Sequence, residues 1–340
     1  MPRLCIVPPY ILREILKNGD ARQQARAWST LTDSEQQRGR RRVLAAIAPL
    51  ALAAAGVKRR TIYDAGNGYN LPGRLVRSEG GRASKDPAVN EAYDGSGATY
   101  DMYWQVYQRN SIDGRGMRLD SSVHYGQEYD NAFWDGRQMV YGDGDGEIFK
   151  RFTLSIDVIG HELTHGVTEH SAGLEYQGQS GALSESFSDV FGSLVKQYKL
   201  GQTAGEADWL IGAGLFMPGI NAKGIRSMKE PGTAYDDPLL GKDPQHGDMS
   251  GYVETQDDNG GVHLNSGIPN RAFYEVSVRI RGRAWEKAGH IWYKTLTEKL
   301  RTDSTFRDAV TLTVTAAGEL YGKNSREQKA VRTAWSVVGL

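Results

Sequence analysis

The stretch His161-Glu162-Leu163-Thr164-His165 decides how this chain reads, and Gly181-Ala182-Leu183-Ser184-Glu185 follows it, with nineteen residues between His165 and Glu185. Two histidines four apart on a helix stand one above the other on one face. Their imidazoles can share one Zn²⁺, with the glutamate between them beside the metal. A catalytic zinc takes three protein ligands and leaves its fourth position to water. Glu185 is the candidate third ligand, and Asp189 lies one helical turn beyond it. A five-residue pattern with two open positions also occurs in ordinary charged amphipathic helices, so the surroundings matter. His161 and His165 sit in an apolar frame of Ile156, Val158, Ile159, Leu163 and Val167. Glu185 and Asp189 are interleaved with Phe187, Val190, Phe191 and Leu194. Acids inside such a frame are expensive to bury unless they are paired or bind metal, which favours a zinc site over a solvated helix.

Composition agrees with an enzyme of this kind. The chain has 340 residues, enough for two lobes with real cores. Basic and acidic residues balance at 41 each, which argues against nucleic acid as a partner. The single cysteine, Cys5, excludes an intramolecular disulfide. No apolar run reaches the length of a membrane-spanning helix. Between Thr61 and Leu154 the pattern reads as strand and turn, with runs containing Val, Tyr and Trp broken by Gly-Asn-Gly and Asx-Gly turns. Ser155 to His170 reads as the zinc helix. From Gly181 onward the pattern is mostly helical, with a loop-rich interval from Met217 to Gly261. The expected fold class is α+β: residues 61–170 form a β-rich N-terminal lobe with the zinc helix, residues 171–340 a mainly α-helical C-terminal lobe, and the cleft lies between them.

At these residues the chain resembles the thermolysin-like zinc metallopeptidases. The likeness is carried also by Asn131-Ala132-Phe133-Trp134, Met139-Val140-Tyr141-Gly142-Asp143-Gly144, Gly173-Leu174-Glu175-Tyr176, Ile225-Arg226-Ser227-Met228 and Asp258-Asn259-Gly260-Gly261-Val262-His263. It runs from about Thr61 to Leu340. The resemblance implies a zinc-dependent endopeptidase with His161, His165 and Glu185 as ligands and Glu162 as general base. It implies that His263 and Tyr176 donate to the oxyanion, that Asp258 orients His263, and that Asp189 accepts the other ring proton of His161. Asn131, Ala132 and Arg226 become substrate clamps, and Phe149, Phe152, Val158 and Ile225 the pocket for the residue after the scissile bond. From the residues alone, His263 reads equally as a surface histidine in a glycine-rich loop, Tyr176 as a packed aromatic and Arg226 as a structural ion-pair partner. Asp143 and Asp145 read as a tight turn before a cation site. Zinc aminopeptidases, usually with one residue fewer between second histidine and third ligand, are the enzymatic alternative; a zinc protein without catalysis is the other.

The first sixty residues differ in character and read as a separate leader, residues 1–60. Pro8 to Lys17 gives an extended Pro-Pro and a short amphipathic helix, and Asp20 to Gly39 is polar and helix-prone. Arg40-Arg41-Arg42 then precedes an apolar stretch, Val43 to Ala55, with the outline of a secretory signal. Its late position favours an alanine-rich helix of the leader instead, so no N-terminal signal peptide is visible. The leader resembles the short propeptide of the protealysin-like branch, with Pro8-Pro9-Tyr10 at its Pro-Pro-hydrophobic motif. That likeness implies a zymogen whose Pro8-Pro9-Tyr10 lies in the cleft on the leaving-group side with Tyr10 in an apolar subsite. It implies cleavage near Arg59-Arg60-Thr61, and secretion, with a cytoplasmic location the alternative. Cys5 lies close enough in sequence to reach the zinc, although a buried thiol is the plainer reading. The paired-calcium site of thermolysin is expected to be absent. Asp157 and Asp208 match two ligands there, but Lys196, Leu210 and Ala213 replace the acids that Ca²⁺, with its six to eight oxygens, requires.

Overall fold

The structure is a computed structural model that describes residues 4–44 and 54–340. The apolar stretch 43–55 therefore lies largely outside the described residues. The leader contributes a short strand β1 (Leu4–Cys5), helix α1 (Pro9–Asn18) and helix α2 (Ala21–Leu44). Proline suits the first turn of a helix because its missing N–H is not needed there, and Pro9 opens α1. The N-terminal lobe follows with β2 (Arg60–Asp64), β3 (Arg74–Ser78), α3 (Pro87–Tyr107), β4 (Leu119–Val123), β5 (Ala132–Trp134) and β6 (Gln138–Tyr141). These strands form one six-stranded sheet in the order β1-β5-β6-β4-β2-β3, so the leader strand completes the edge beside β5. β1 runs antiparallel to β5, with Leu4 opposite Trp134 and Cys5 opposite Phe133.

Helix α3 departs from the strand-and-turn reading of residues 61–154. Asp86 caps it by accepting from Ala88 N at 2.9 Å, and Pro87 occupies its first turn. Tyrosine and glycine are weak helix formers, which hid the segment. The glycines serve packing: a Cβ on Gly95 would stand 2.3 Å from Ile159 Cδ1, and one on Gly97 2.3 Å from an Arg60 guanidinium nitrogen.

The zinc helix is α4 (Ile156–Glu169), and α5 (Gly178–Leu200) crosses it. Residues 157–168 of α4 are all buried, because α3, α5 and the sheet cover it on different sides. A Cβ on Gly192 would come within 2.4 Å of Asp157 O and 2.9 Å of His161 N. Glycine there lets the α5 backbone lie directly against α4, and that approach brings Glu185 to the two histidines. From Gly201 to Asp257 the chain is loop with short paired strands, so the loop-rich interval begins earlier than the sequence suggests. Helices α6 (Asp258–Asn265), α7 (Gly267–Ile280), α8 (Lys287–Glu298), α9 (Phe306–Tyr321) and α10 (Arg326–Val337) complete the C-terminal lobe. Among the described residues, no helix is long and apolar enough to cross a membrane.

The expected leader boundary, near Arg59-Arg60-Thr61, falls at the start of a sheet strand. Arg60 and Thr61 lie inside β2, which pairs with β4 on one side and β3 on the other. The Arg60 side chain is buried, bonded to Glu79 at 2.8 Å and to the Tyr93 hydroxyl at 2.8 Å. Residues 54–56 just upstream are exposed.

Candidate metal centre and substrate cleft

Helices α4 and α5 bring His161, His165 and Glu185 together as the one cluster among the described residues fit to hold a metal. All three are buried. His161 Nε2 and His165 Nε2 are 3.0 Å apart. Glu185 places Oε2 3.5 Å from the first and Oε1 3.4 Å from the second. Tetrahedral zinc, with bonds of about 2.0–2.1 Å, sets its ligand atoms about 3.3 Å apart, and the cluster fits that spacing. The other ring nitrogens point outward. His161 Nδ1 meets Asp189 Oδ1 at 2.8 Å and His165 Nδ1 meets Ser188 Oγ at 2.9 Å. With Nδ1 the donor in each ring, both Nε2 lone pairs face one point, an arrangement that repels unless a cation lies between them. Glu185 Oε2 accepts no hydrogen bond among the described residues. Burial pushes the Glu185 carboxyl up, but His263, His165 and His161 outweigh it and hold the group well below the ordinary range, so it stays an anion.

Asp189 is shared. It accepts from His161, from Arg226 Nε and Nη2 at 2.8 Å each, and from Asn270 Nδ2 at 2.8 Å. Burial opposes its ionisation, while Arg226 and His161 more than offset that and bring it down to about 2. Glu162 lies beside the centre, fully buried, with Oε2 accepting from Trp134 N at 3.0 Å.

Opposite the metal helix stand Tyr176 and His263. Residues Asp258 to Gly261 all take left-handed conformations, a turn that folds Asp258 back onto the histidine. Asp258 Oδ2 accepts from His263 N at 2.9 Å, and Oδ1 meets His263 Nδ1 at 2.7 Å. Burial lowers the affinity of His263 for a proton, yet Asp258 and Glu185 raise it overall, favouring the imidazolium. Tyr176 Oη is 3.3 Å from His263 Nε2 and bonds Glu185. Burial and Glu185 keep its phenol protonated and able to donate.

The leader occupies the cleft. Ile6 N donates to Ala132 O at 3.3 Å, and Ile6 O accepts from Arg226 Nη1 at 2.9 Å. Val7 N donates to Asn131 Oδ1 at 3.0 Å, and Asn131 Nδ2 reaches back to Val7 O at 3.4 Å. Cys5 O faces His263 Nε2 at 3.2 Å. Ile6, without exposed surface, joins the apolar core that contains Phe149, Phe152, Val158 and Ile225. The segment on the clamps is thus Cys5-Ile6-Val7. Pro8-Pro9-Tyr10 comes after it, because proline has no N–H for a sheet ladder and Pro9 already starts α1. Tyr10 packs against the core with its phenol near Tyr235 and Asp243. The Cys5 thiol is buried. Its side chain lies in a cluster with Tyr125, Tyr129, Phe133 and Val140, with Sγ 3.9 Å from Ser34 Oγ.

Ser188 and Asn270 were not anticipated from the sequence. A polar residue on the buried face of α5 beside Asp189 was a usable signal for Ser188; Asn270 reaches Asp189 from another helix and left none. Where thermolysin's paired-calcium site would lie by resemblance, Lys196 Nζ binds Asp157 Oδ2 at 2.9 Å, Asp208 Oδ1 at 2.8 Å and Leu210 O at 3.0 Å.

Fold and site together define a metallopeptidase. Residues 52–169 match the family model described as thermolysin metallopeptidase, catalytic domain, and residues 172–340 that described as thermolysin metallopeptidase, alpha-helical domain. An extracellular metalloprotease of Pectobacterium carotovorum subsp. carotovorum is 51% identical over all of this chain and 97% of its own length. Protease PrtS of Photorhabdus sp. (strain Az29) is 48% identical over 98% of this chain and 91% of its own. The solved precursor of protealysin, a metalloproteinase from Serratia proteamaculans, is 54% identical, with a TM-score of 0.91 over 99% of each chain. The chain belongs to the thermolysin family of metallopeptidases, in its protealysin branch. It is a zinc-dependent endopeptidase with a precursor form.

Proposed function

We propose that this chain is a self-inhibited precursor whose centre works as follows. His161, His165 and Glu185 would hold one zinc, which when bound would supply Lewis-acid chemistry. Glu162, beside the residues that would hold the metal, is placed to take a proton from the attacking water and pass it to the departing amine. His263 and Tyr176 donate to the oxygen of the attacked carbonyl, each contributing about 3 kcal/mol in the transition state. Asp258 positions His263; Asp189 and Ser188 position the ligand imidazoles. Asn131, Ala132 and Arg226 hold the peptide extended. The carrying observation is the convergence of the two Nε2 atoms and the Glu185 carboxylate on one point while both Nδ1 atoms are engaged behind them.

Leader backbone passes on both sides of the centre, at Leu4 and at Val7, which supports internal cleavage of peptides over removal of single N-terminal residues. Phe149, Phe152, Val158 and Ile225 form an apolar pocket for the residue after the cut, where burying a Leu, Ile or Phe stabilises binding by about 1.5–3 kcal/mol. The activating cut falls upstream of Arg60, at or before the exposed residues 54–56. The Lys196 ammonium stands in for the paired calcium. The name of the Pectobacterium relative, an extracellular metalloprotease, supports an enzyme that acts outside the cell.

The test is a peptide blocked at both ends, incubated with the processed enzyme with and without o-phenanthroline. Internal cleavage before a large apolar residue, abolished by the chelator, is expected. Cleavage before charged residues, or none, contradicts the reading.

A further inference from the structure

We propose that the chain cuts its own leader between Cys5 and Ile6, an inference resting on the endopeptidase reading above. The leader is bound as a substrate, with one peptide bond in the reacting position. It is extended and antiparallel to β5. The residue before the bond turns its carbonyl to His263 at 3.2 Å, where the oxyanion donors stand. The residue after it gives its N–H to Ala132 O and takes the Arg226 guanidinium on its carbonyl at 2.9 Å. Trp134, opposite Leu4 on β5, holds Glu162 Oε2 through its N–H at 3.0 Å. Base, oxyanion donors and clamps thus bracket Cys5–Ile6 and, among the described residues, no other leader bond. Pro8 and Pro9, the residues ill-suited to cleavage, lie beyond the bond and do not protect it.

The chemistry is a plain hydrolysis. Water adds to the Cys5 carbonyl carbon while Glu162 takes one of its protons. The bond from that carbon to the Ile6 nitrogen breaks, the electron pair stays on nitrogen, and the proton held by Glu162 is delivered there. The products are a Cys5 carboxylate and an Ile6 α-amine, with no oxidant or reductant needed. Leu4 and Cys5 then keep their pairing with β5 and the packing of the Cys5 side chain against Phe133 and its neighbours, but lose their covalent tie to the rest of the leader. The chain from Ile6 onward keeps the Asn131 and Arg226 bonds and remains in the leaving-group half of the cleft. The trim is therefore an early step that opens one half of the cleft before the leader is released.

The experiment follows the zinc-loaded full chain by intact mass and N-terminal analysis, alongside Glu162→Gln. Loss of residues 1–5 to give an Ile6 N-terminus, at a rate unchanged by about hundredfold dilution and absent in Glu162→Gln, is expected. Retention of residues 1–5 while the processed enzyme digests casein in the same buffer overturns the inference and leaves the endopeptidase reading intact. A first new terminus elsewhere, or a rate that falls on dilution, also overturns it. Failure of the processed enzyme on casein sinks the endopeptidase reading itself. A readout independent of activity is hydrogen exchange in metal-free Glu162→Gln chain. The Ile6 and Val7 amides, bonded to Ala132 and Asn131, should exchange far more slowly than exposed leader amides; equal rates would refute the docking.

Discussion

Arg226 and Asp189 form a fork-to-fork ion pair, 2.8 Å at each of its two bonds, and the Asp189 oxygen bonded by Arg226 Nη2 also accepts from His161. One carboxylate therefore orients both His161, proposed as a metal ligand, and Arg226, which holds the Ile6 carbonyl of the leader. Planar two-point pairing of this kind fixes direction as well as charge.

Asp189→Asn should loosen both ends together. Removing such a partner of a ligand histidine typically costs about 10–100-fold in metal affinity, and the released guanidinium should raise KM as well. Zinc competition with a chromogenic chelator and steady-state kinetics at saturating zinc measure the two effects. Unchanged KM alongside weakened zinc would show that Arg226 does not depend on Asp189.

The leader is held far from the metal too. Arg26, buried on α2, donates to Glu128 at 2.7 Å and Glu147 at 2.8 Å and reaches Asp145 at 3.4 Å. Arg26→Ala should raise the activity of the uncut chain about tenfold, the low end for charge-assisted bonds because Glu128 and Glu147 are solvent-exposed. Arg26 is the main cause holding the Glu128 carboxyl below its ordinary value. A depressed carboxylate stabilises above its unfolded pKa, so this contact is complete at neutral pH and is lost as pH falls through that lowered value. Protection of the leader amides from hydrogen exchange, followed as the pH is lowered through that value, should fall more in the parent than in Arg26→Ala.

How much of this was legible before the structure depends on how local each feature is. His161, Glu162 and His165 share one helix face, and Glu185 with Asp189 share another, so spacing exposes them. Helix α3 was missed although Asp86-Pro87 announces its start and Val89, Ala92, Tyr93, Ser96, Tyr100 and Tyr103 follow a helical period. Its tyrosines and glycines imitate strand and turn. Asn270 and Ser188 act across helix contacts that no spacing encodes. The leader's register was hidden because Pro8-Pro9 is the conspicuous feature, while the contacts belong to Cys5, Ile6 and Val7 just before it. Arg60 reads as a processing residue until Glu79 and Tyr93 are seen around it.

Lys196 yields a prediction about calcium. Asp157 is wholly buried, and burial lowers the Lys196 pKa less than Asp157 and Asp208 raise it. Lys196→Met leaves Asp157 without its cation and should destabilise by about 3 kcal/mol, the lower end for breaking a buried pair. The melting temperature of the parent should ignore millimolar calcium, whereas that of Lys196→Glu should rise with it, since a bound ligand stabilises by linkage. A steep calcium response in the parent would show a site that the ammonium does not replace.

The central claim separates a base from its neighbouring ligands within five residues, and the direct measurement is zinc content beside peptidase activity in processed Glu162→Gln and His165→Ala. Glu162→Gln should retain about one zinc per chain and lose nearly all cleavage of a blocked peptide, because it removes the proton acceptor and no ligand. His165→Ala should lose the zinc and the activity together. Equal zinc loss in both variants, or appreciable cleavage by Glu162→Gln, would contradict the account.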